Sequence, residues 1–145
     1  MIYNPKLIRE EADLFNFIKN NFIPDLIPTE LRKRYDCFSE FYQMDIELKC
    51  RRKHYSKLLI EKPKYNALMN RCKAYCTTPV YINSTPKGVW AFYIQDHDIV
   101  WEKKSLPINT DFGNNSKIIK EVGYLDIKNG IDLLSLLPLL PTTLG

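Results

Sequence analysis

Apolar residues recur at helical spacing near the start of the chain. Leu7, Leu14, Ile18 and Phe22 form one stripe, widened by Phe15 and Phe17. The pattern predicts a helix over residues 5–20, with Pro5 suited to its first turn. Pro24 and Pro28 break it, leaving room for one short helical turn over 29–33. From Tyr35 to Arg51 the period drops to two, predicting a strand hairpin that turns near Ser39 and Glu40. Residues 55–76 return to helical spacing, with an interruption expected at Pro63. Residues 79–83 predict a short strand, 84–88 a turn, and 89–94 a buried strand. Residues 99–101 are expected to complete a further hairpin or meander. Residues 105–125 are rich in Asn, Asp, Gly and Ser and predict loop, with 118–125 open to a short helix or strand. The apolar stretch 131–141 is too short for a membrane span and is expected to pack on the body or on a partner subunit.

The second arm of the predicted hairpin carries candidate chemistry. In a strand, Asp45, Glu47 and Lys49 share one face, while Met44, Ile46, Leu48 and Cys50 share the other. Two acids and an ammonium on one face, backed by apolar residues, suit metal-assisted phosphodiester cleavage. The acids can hold a divalent cation, and the lysine sits beside the reacting water. Asp36 lies on the first arm, where a tight connection brings it toward Glu47. The two carboxylates could then converge on one ion.

Length and charge sharpen this picture. A chain of 145 residues is expected to form one domain. Between Lys49 and Lys73 lie nine basic residues and one acid, Glu61, a net of +8; the remaining chain has twelve basic residues and sixteen acids, a net of −4. One concentrated basic segment on an acidic body fits a phosphate-binding footprint. Arg51, Arg52 and Lys53 follow the acids at once, where they could clamp phosphates. Lys57, Lys62 and Lys64 could extend the track, and Tyr55 and Tyr65 could stack on bases or sugars. The start of the chain shows no basic-then-apolar leader pattern, and no apolar run approaches a membrane span, so the expected location is the cytoplasm. The four cysteines are then expected to be reduced, and Cys72-x-x-x-Cys76 lacks zinc-knuckle spacing.

The order helix, hairpin, helix, strands, with Asp36 on one arm and Glu47-Leu48-Lys49 on the next, resembles the PD-(D/E)XK nuclease superfamily. The resemblance covers about residues 5–101. It implies an α/β fold, a restriction-endonuclease-like core in which a central mixed β-sheet is flanked by helices. Residues 102–145 would be a C-terminal extension of the same single domain. By resemblance, Asp36 and Glu47 hold Mg²⁺ or Mn²⁺, the Leu48 backbone carbonyl adds an oxygen ligand, and Glu10 or Glu11 could add another. Lys49 would orient the attacking water and stabilise charge on the phosphate. The chain departs from the family pattern in having Tyr35, not proline, before Asp36. The literal Pro24-Asp25 pair is the second choice for the motif acid, and Asp45 the third.

The function implied is a metal-dependent nuclease that hydrolyses DNA, favoured over RNA, as an endonuclease. Structure-directed cutting, such as junction resolution, would favour a homodimer. The alternative is an inactive nuclease-fold protein that serves as a nucleic-acid-binding or assembly module.

Overall fold

The computed structural model describes residues 4–29, 36–108 and 116–137. Pro5–Leu7 make only a short 3-10 turn, and the first α-helix, α1, runs Glu11–Asn21. The predicted helix therefore starts later than expected. The Asp13 carboxylate explains the starting point, because it accepts the backbone N–H groups of Arg9 and Glu10 at 2.9 and 3.1 Å. Leu14, Phe17 and Ile18 form the buried stripe of α1.

The strands are β1 (Ile27–Pro28), β2 (Asp36–Ser39), β3 (Met44–Cys50) and β4 (Lys57–Glu61). Helix α2 (Lys62–Tyr75) follows, then β5 (Thr78–Thr85), β6 (Gly88–Tyr93), β7 (Glu102–Pro107), β8 (Lys117–Asp126) and β9 (Ile131–Asp132). The central sheet has the order β1-β2-β3-β5-β6-β9, and a small second sheet has the order β4-β8-β7. The central sheet is mixed: β3 and β5 are parallel, and the other pairs are antiparallel. Parallel neighbours need a crossover, and here β4 and α2 provide it.

The two faces of the central sheet bury different cores. Cys37, Ile46, Leu48, Val80 and Ile82 pack with Leu14, Phe17 and Ile18 of α1. Tyr81, Trp90 and Phe92 point the other way, toward Leu68 and Cys72 of α2, Leu58 and Ile60 of β4, and Leu125 of β8. Strand alternation produces this division directly.

Several expectations change. Residues 57–61 are strand rather than helix, because Leu58 and Ile60 alternate into the core and β4 pairs with β8. Pro63 does not interrupt a helix; it sits in the first turn of α2, where its missing N–H costs nothing. Residues 99–101 form no strand, and Ile99 and Trp101 instead pack on the second core. Residues 105–107 of the expected loop belong to β7, and 118–125, left open to helix or strand, is strand in β8, which pairs with β7 in antiparallel register. Residues 109–115 lie outside the described residues, as do 30–33 of the expected short turn and 138–141 of the apolar C-terminal stretch. Within 131–137, β9 extends the sheet beside β6, and Leu133 enters the first core. No helix among the described residues is long and apolar enough to cross a membrane.

Candidate active site

The expected hairpin is formed by β2 and β3, joined by a turn over residues 40–43 in which Gln43 takes a positive φ of 53°. Its register places Asp36 directly opposite Glu47, and Phe38 opposite Asp45. Since Cys37, Ile46 and Leu48 face α1, the residues alternating with them face α2 and the small sheet. Asp36, Asp45, Glu47 and Lys49 therefore share this face, beside Tyr81 and Asn83, which lie opposite Glu47 and Lys49 on β5.

The three acids are buried, with 8%, 4% and 7% exposure for Asp36, Asp45 and Glu47. Asp45 is firmly held. Arg71 of α2 donates to its Oδ1 from Nε at 2.9 Å, and the Thr77 hydroxyl donates to its Oδ2. Asp36 is not so well served. The nearest cation is Arg71 Nη1, at 3.8 Å from Oδ2, and its buried Oδ1 has no hydrogen-bond partner among the described residues. A buried carboxylate oxygen without a partner costs free energy. A hard cation matches that oxygen. Mg²⁺ takes one or two carboxylates and completes its shell with waters, so the Asp36–Glu47 pair fits it. Among the described residues no cluster of three or more His, Cys, Asp or Glu side chains is arranged to hold a metal, so any ion here relies on backbone and water oxygens as well.

Lys49 is half-buried. Desolvation holds its ammonium below the usual lysine pKa, helped by repulsion from Lys64 and Arg51 and opposed by Glu11 and Glu61. The two candidate helix acids are thereby separated. Glu11 is an electrostatic neighbour of Lys49, whereas Glu10 is the exposed N-cap residue of α1.

The basic segment divides in the same way. Arg51 was expected to clamp a phosphate, but its guanidinium turns inward. It donates to Asn83 Oδ1 at 2.8 Å, to Tyr81 Oη at 3.2 Å and to the Leu59 carbonyl. The reason is register: Arg51 follows Lys49 on the same strand face and meets the crossover strand β4. Arg52, Lys53, Tyr55 and Lys57 are exposed. Lys62 pairs with Glu121 at 3.5 Å and lies over the Trp101 ring, and Lys64 is half-buried near Lys49. Tyr65 packs edge-on against Trp101 instead of standing free to stack on a base.

The Pro24-Asp25 pair lies elsewhere. The Asp25 carboxylate accepts the Ser39 hydroxyl at 2.7 Å and the Phe41 N–H at 2.9 Å, at the turn end of the hairpin. These two hydrogen bonds hold its carboxyl below the usual pKa, the backbone one most strongly. Arg71 and Thr77 are the site neighbours that sequence reasoning missed. The only signal was that Arg71 adjoins Cys72, a core residue of α2.

No protein-family model and no curated protein sequence matches the chain. Among solved structures, the chain is similar to Hjc, a Holliday junction resolvase from the archaeal hyperthermophile Archaeoglobus fulgidus. The TM-score is 0.53 at 12% identity, over 87% of this chain and 95% of that one. The central mixed sheet flanked by two helices gives this chain a restriction-endonuclease-like α/β fold, which it shares with that structure.

Proposed function

We propose that the protein is a divalent-metal-dependent nuclease that cuts DNA internally. One observation carries this reading: Asp36, whose buried Oδ1 has no partner among the described residues, lies directly opposite Glu47, and Lys49 is the next residue on that face. Asp36, Glu47 and the Leu48 carbonyl are the residues that would hold Mg²⁺ or Mn²⁺. When bound, such a cation supplies charge neutralisation at the phosphate and a more acidic water. Lys49 orients that water and donates to the scissile phosphate, and its half-buried setting keeps the ammonium close to the reaction. Glu11 balances Lys49 from α1. Arg52, Lys53 and Lys57 bind flanking phosphates, Tyr55 stacks on a base or sugar, and Lys62 and Lys64 border the track.

The similar solved protein is a Holliday junction resolvase, which makes a four-way DNA junction the first branched substrate to try. Two-fold junctions suit a homodimer.

A second reading, an inactive nuclease-fold protein that binds nucleic acid or supports an assembly, draws on Arg71, whose positive charge stands beside Asp36 where a cation would act. Cleavage of a supercoiled plasmid and of a labelled four-way junction in Mg²⁺, with an EDTA control, separates the two. The nuclease reading expects cutting that falls about 10²–10⁴-fold in Lys49→Ala and is lost in Glu47→Ala. Salt-sensitive binding without cutting supports the second reading. Cutting unchanged in both variants refutes the site.

A further inference from the structure

We infer that Arg71 is the internal counter-ion of the carboxylate site. It spans Asp36 and Asp45 in the absence of a divalent cation, and it yields Asp36 when one binds. The inference rests on the metal-site reading above and concerns how that site is kept folded and ready.

The geometry is asymmetric. Arg71 Nε grips Asp45 at 2.9 Å, a hydrogen-bonded pair, and Thr77 holds the other Asp45 oxygen. Arg71 Nη1 stands 3.8 Å from Asp36, too far for a hydrogen bond. Its Nη2 is buried and has no partner among the described residues, like Asp36 Oδ1. One guanidinium thus serves two buried carboxylates and satisfies only one of them. Asp45 anchors the arginine, and Asp36 receives charge compensation without a direct bond.

This arrangement suits exchange. A buried carboxylate that is fully hydrogen-bonded to arginine would resist a cation, and one with no counter-charge would destabilise the fold. The long contact lies between these limits. The anchor on Asp45 also means that Arg71 need not leave the site when Asp36 takes a metal. It explains why an acid on the face of Glu47 is not itself a good ligand: both oxygens of Asp45 are committed. Arg71 is a positioning residue in this scheme and touches no reacting atom.

Thermal unfolding of the full chain, in EDTA and in excess MnCl2, tests the idea. Arg71→Met should lower Tm in EDTA by roughly 10 °C, because it strands two buried charges. Mn²⁺ should raise the Tm of Arg71→Met at least twice as far as it raises that of the parent. Arg71→Lys should fall between the two. The decisive step is charge rescue: Asp36→Asn placed in Arg71→Met should recover at least half of the EDTA loss and abolish the Mn²⁺ response. A packing role alone predicts no rescue. If Arg71→Met does not fold, the double variant Arg71→Met/Asp36→Asn must fold for the inference to stand. Absence of rescue, or, where Mn²⁺ does raise the parent's Tm, a response no larger than the parent's in a folded Arg71→Met, overturns it. The nuclease reading fails separately: if Mn²⁺ shifts neither the parent nor Arg71→Met while rescue in EDTA persists, Arg71 is a counter-ion at a site that takes no metal.

Discussion

Arg51 and Arg52 are neighbours in sequence with opposite expected roles, and one pair of substitutions separates them. Arg51→Met keeps most of the apolar stem and removes the guanidinium. Three acceptors then lose a donor: Asn83 Oδ1, Tyr81 Oη and the Leu59 carbonyl. The loss is less than threefold, because Tyr81 Oη still donates to the Leu59 carbonyl at 3.1 Å. Only the Asn83 acceptor is stranded. Hydrogen bonds from a charged donor contribute about 1.5–3 kcal/mol each, and a stranded buried group costs about 1–3 kcal/mol. With one full loss and two partial ones, the expected destabilisation is about 2–4 kcal/mol. For a chain of this size that corresponds to roughly 10 °C in Tm. The assay joins thermal unfolding with DNA affinity measured against salt. Arg51→Met should lose the stability and keep the salt slope, since its guanidinium meets no phosphate. Arg52→Ala should change stability by less than about 0.5 kcal/mol and flatten the slope by about 0.9, the share of one phosphate contact. An Arg51→Met protein with unchanged Tm and a flatter slope would refute the inward assignment.

Two further substitutions probe the scaffold that holds the site. A Cβ on Gly123 would lie 2.1 Å from Ile99 Cγ2 and 3.3 Å from the Trp101 ring, so Gly123→Ala should cost about 1–3 kcal/mol by urea unfolding, with partial recovery in Gly123→Ala/Ile99→Ala. Asp25→Asn should weaken the β2–β3 turn in a pH-dependent way. The folded carboxyl has a lowered pKa, so its contribution is complete above the unfolded value and lost as pH falls through the folded one. The stability gap between parent and variant should therefore be widest at neutral pH and begin to narrow below about pH 4; a gap that stays constant down to pH 2 would remove Asp25 from that role.

The residues that could be read from sequence are those whose partners are local. Asp45, Glu47 and Lys49 share a face by alternation alone, and Asp36 needs only a short hairpin to reach Glu47. The same alternation carries Arg51 onto that face, so its inward turn was available; counting charge along the segment hid it, because a net charge has no direction. Leu58-Leu59-Ile60 is a different case. Three consecutive apolar residues fit either period, and only pairing with β8, more than fifty residues later in the chain, selects the strand. Arg71 could not be found by any local pattern. Its place over Asp36 and Asp45 depends on how the crossover helix α2 is rotated on the sheet, which no spacing within 62–75 encodes.

The two functional readings meet at Asp36. A protein that kept the fold and gave up the chemistry gains little from a buried carboxylate whose Oδ1 has no partner among the described residues, because asparagine or an apolar residue at that place would relieve the cost. Asp45 on the same face is fully bonded, one oxygen to arginine and one to threonine. Asp36 lies on the same face and within reach of the same arginine, yet its Oδ1 has no partner among the described residues. A cation held between Asp36 and Glu47 would complete the acid that Arg71 only partly serves, and that difference from Asp45 weights the proposed site toward chemistry over architecture.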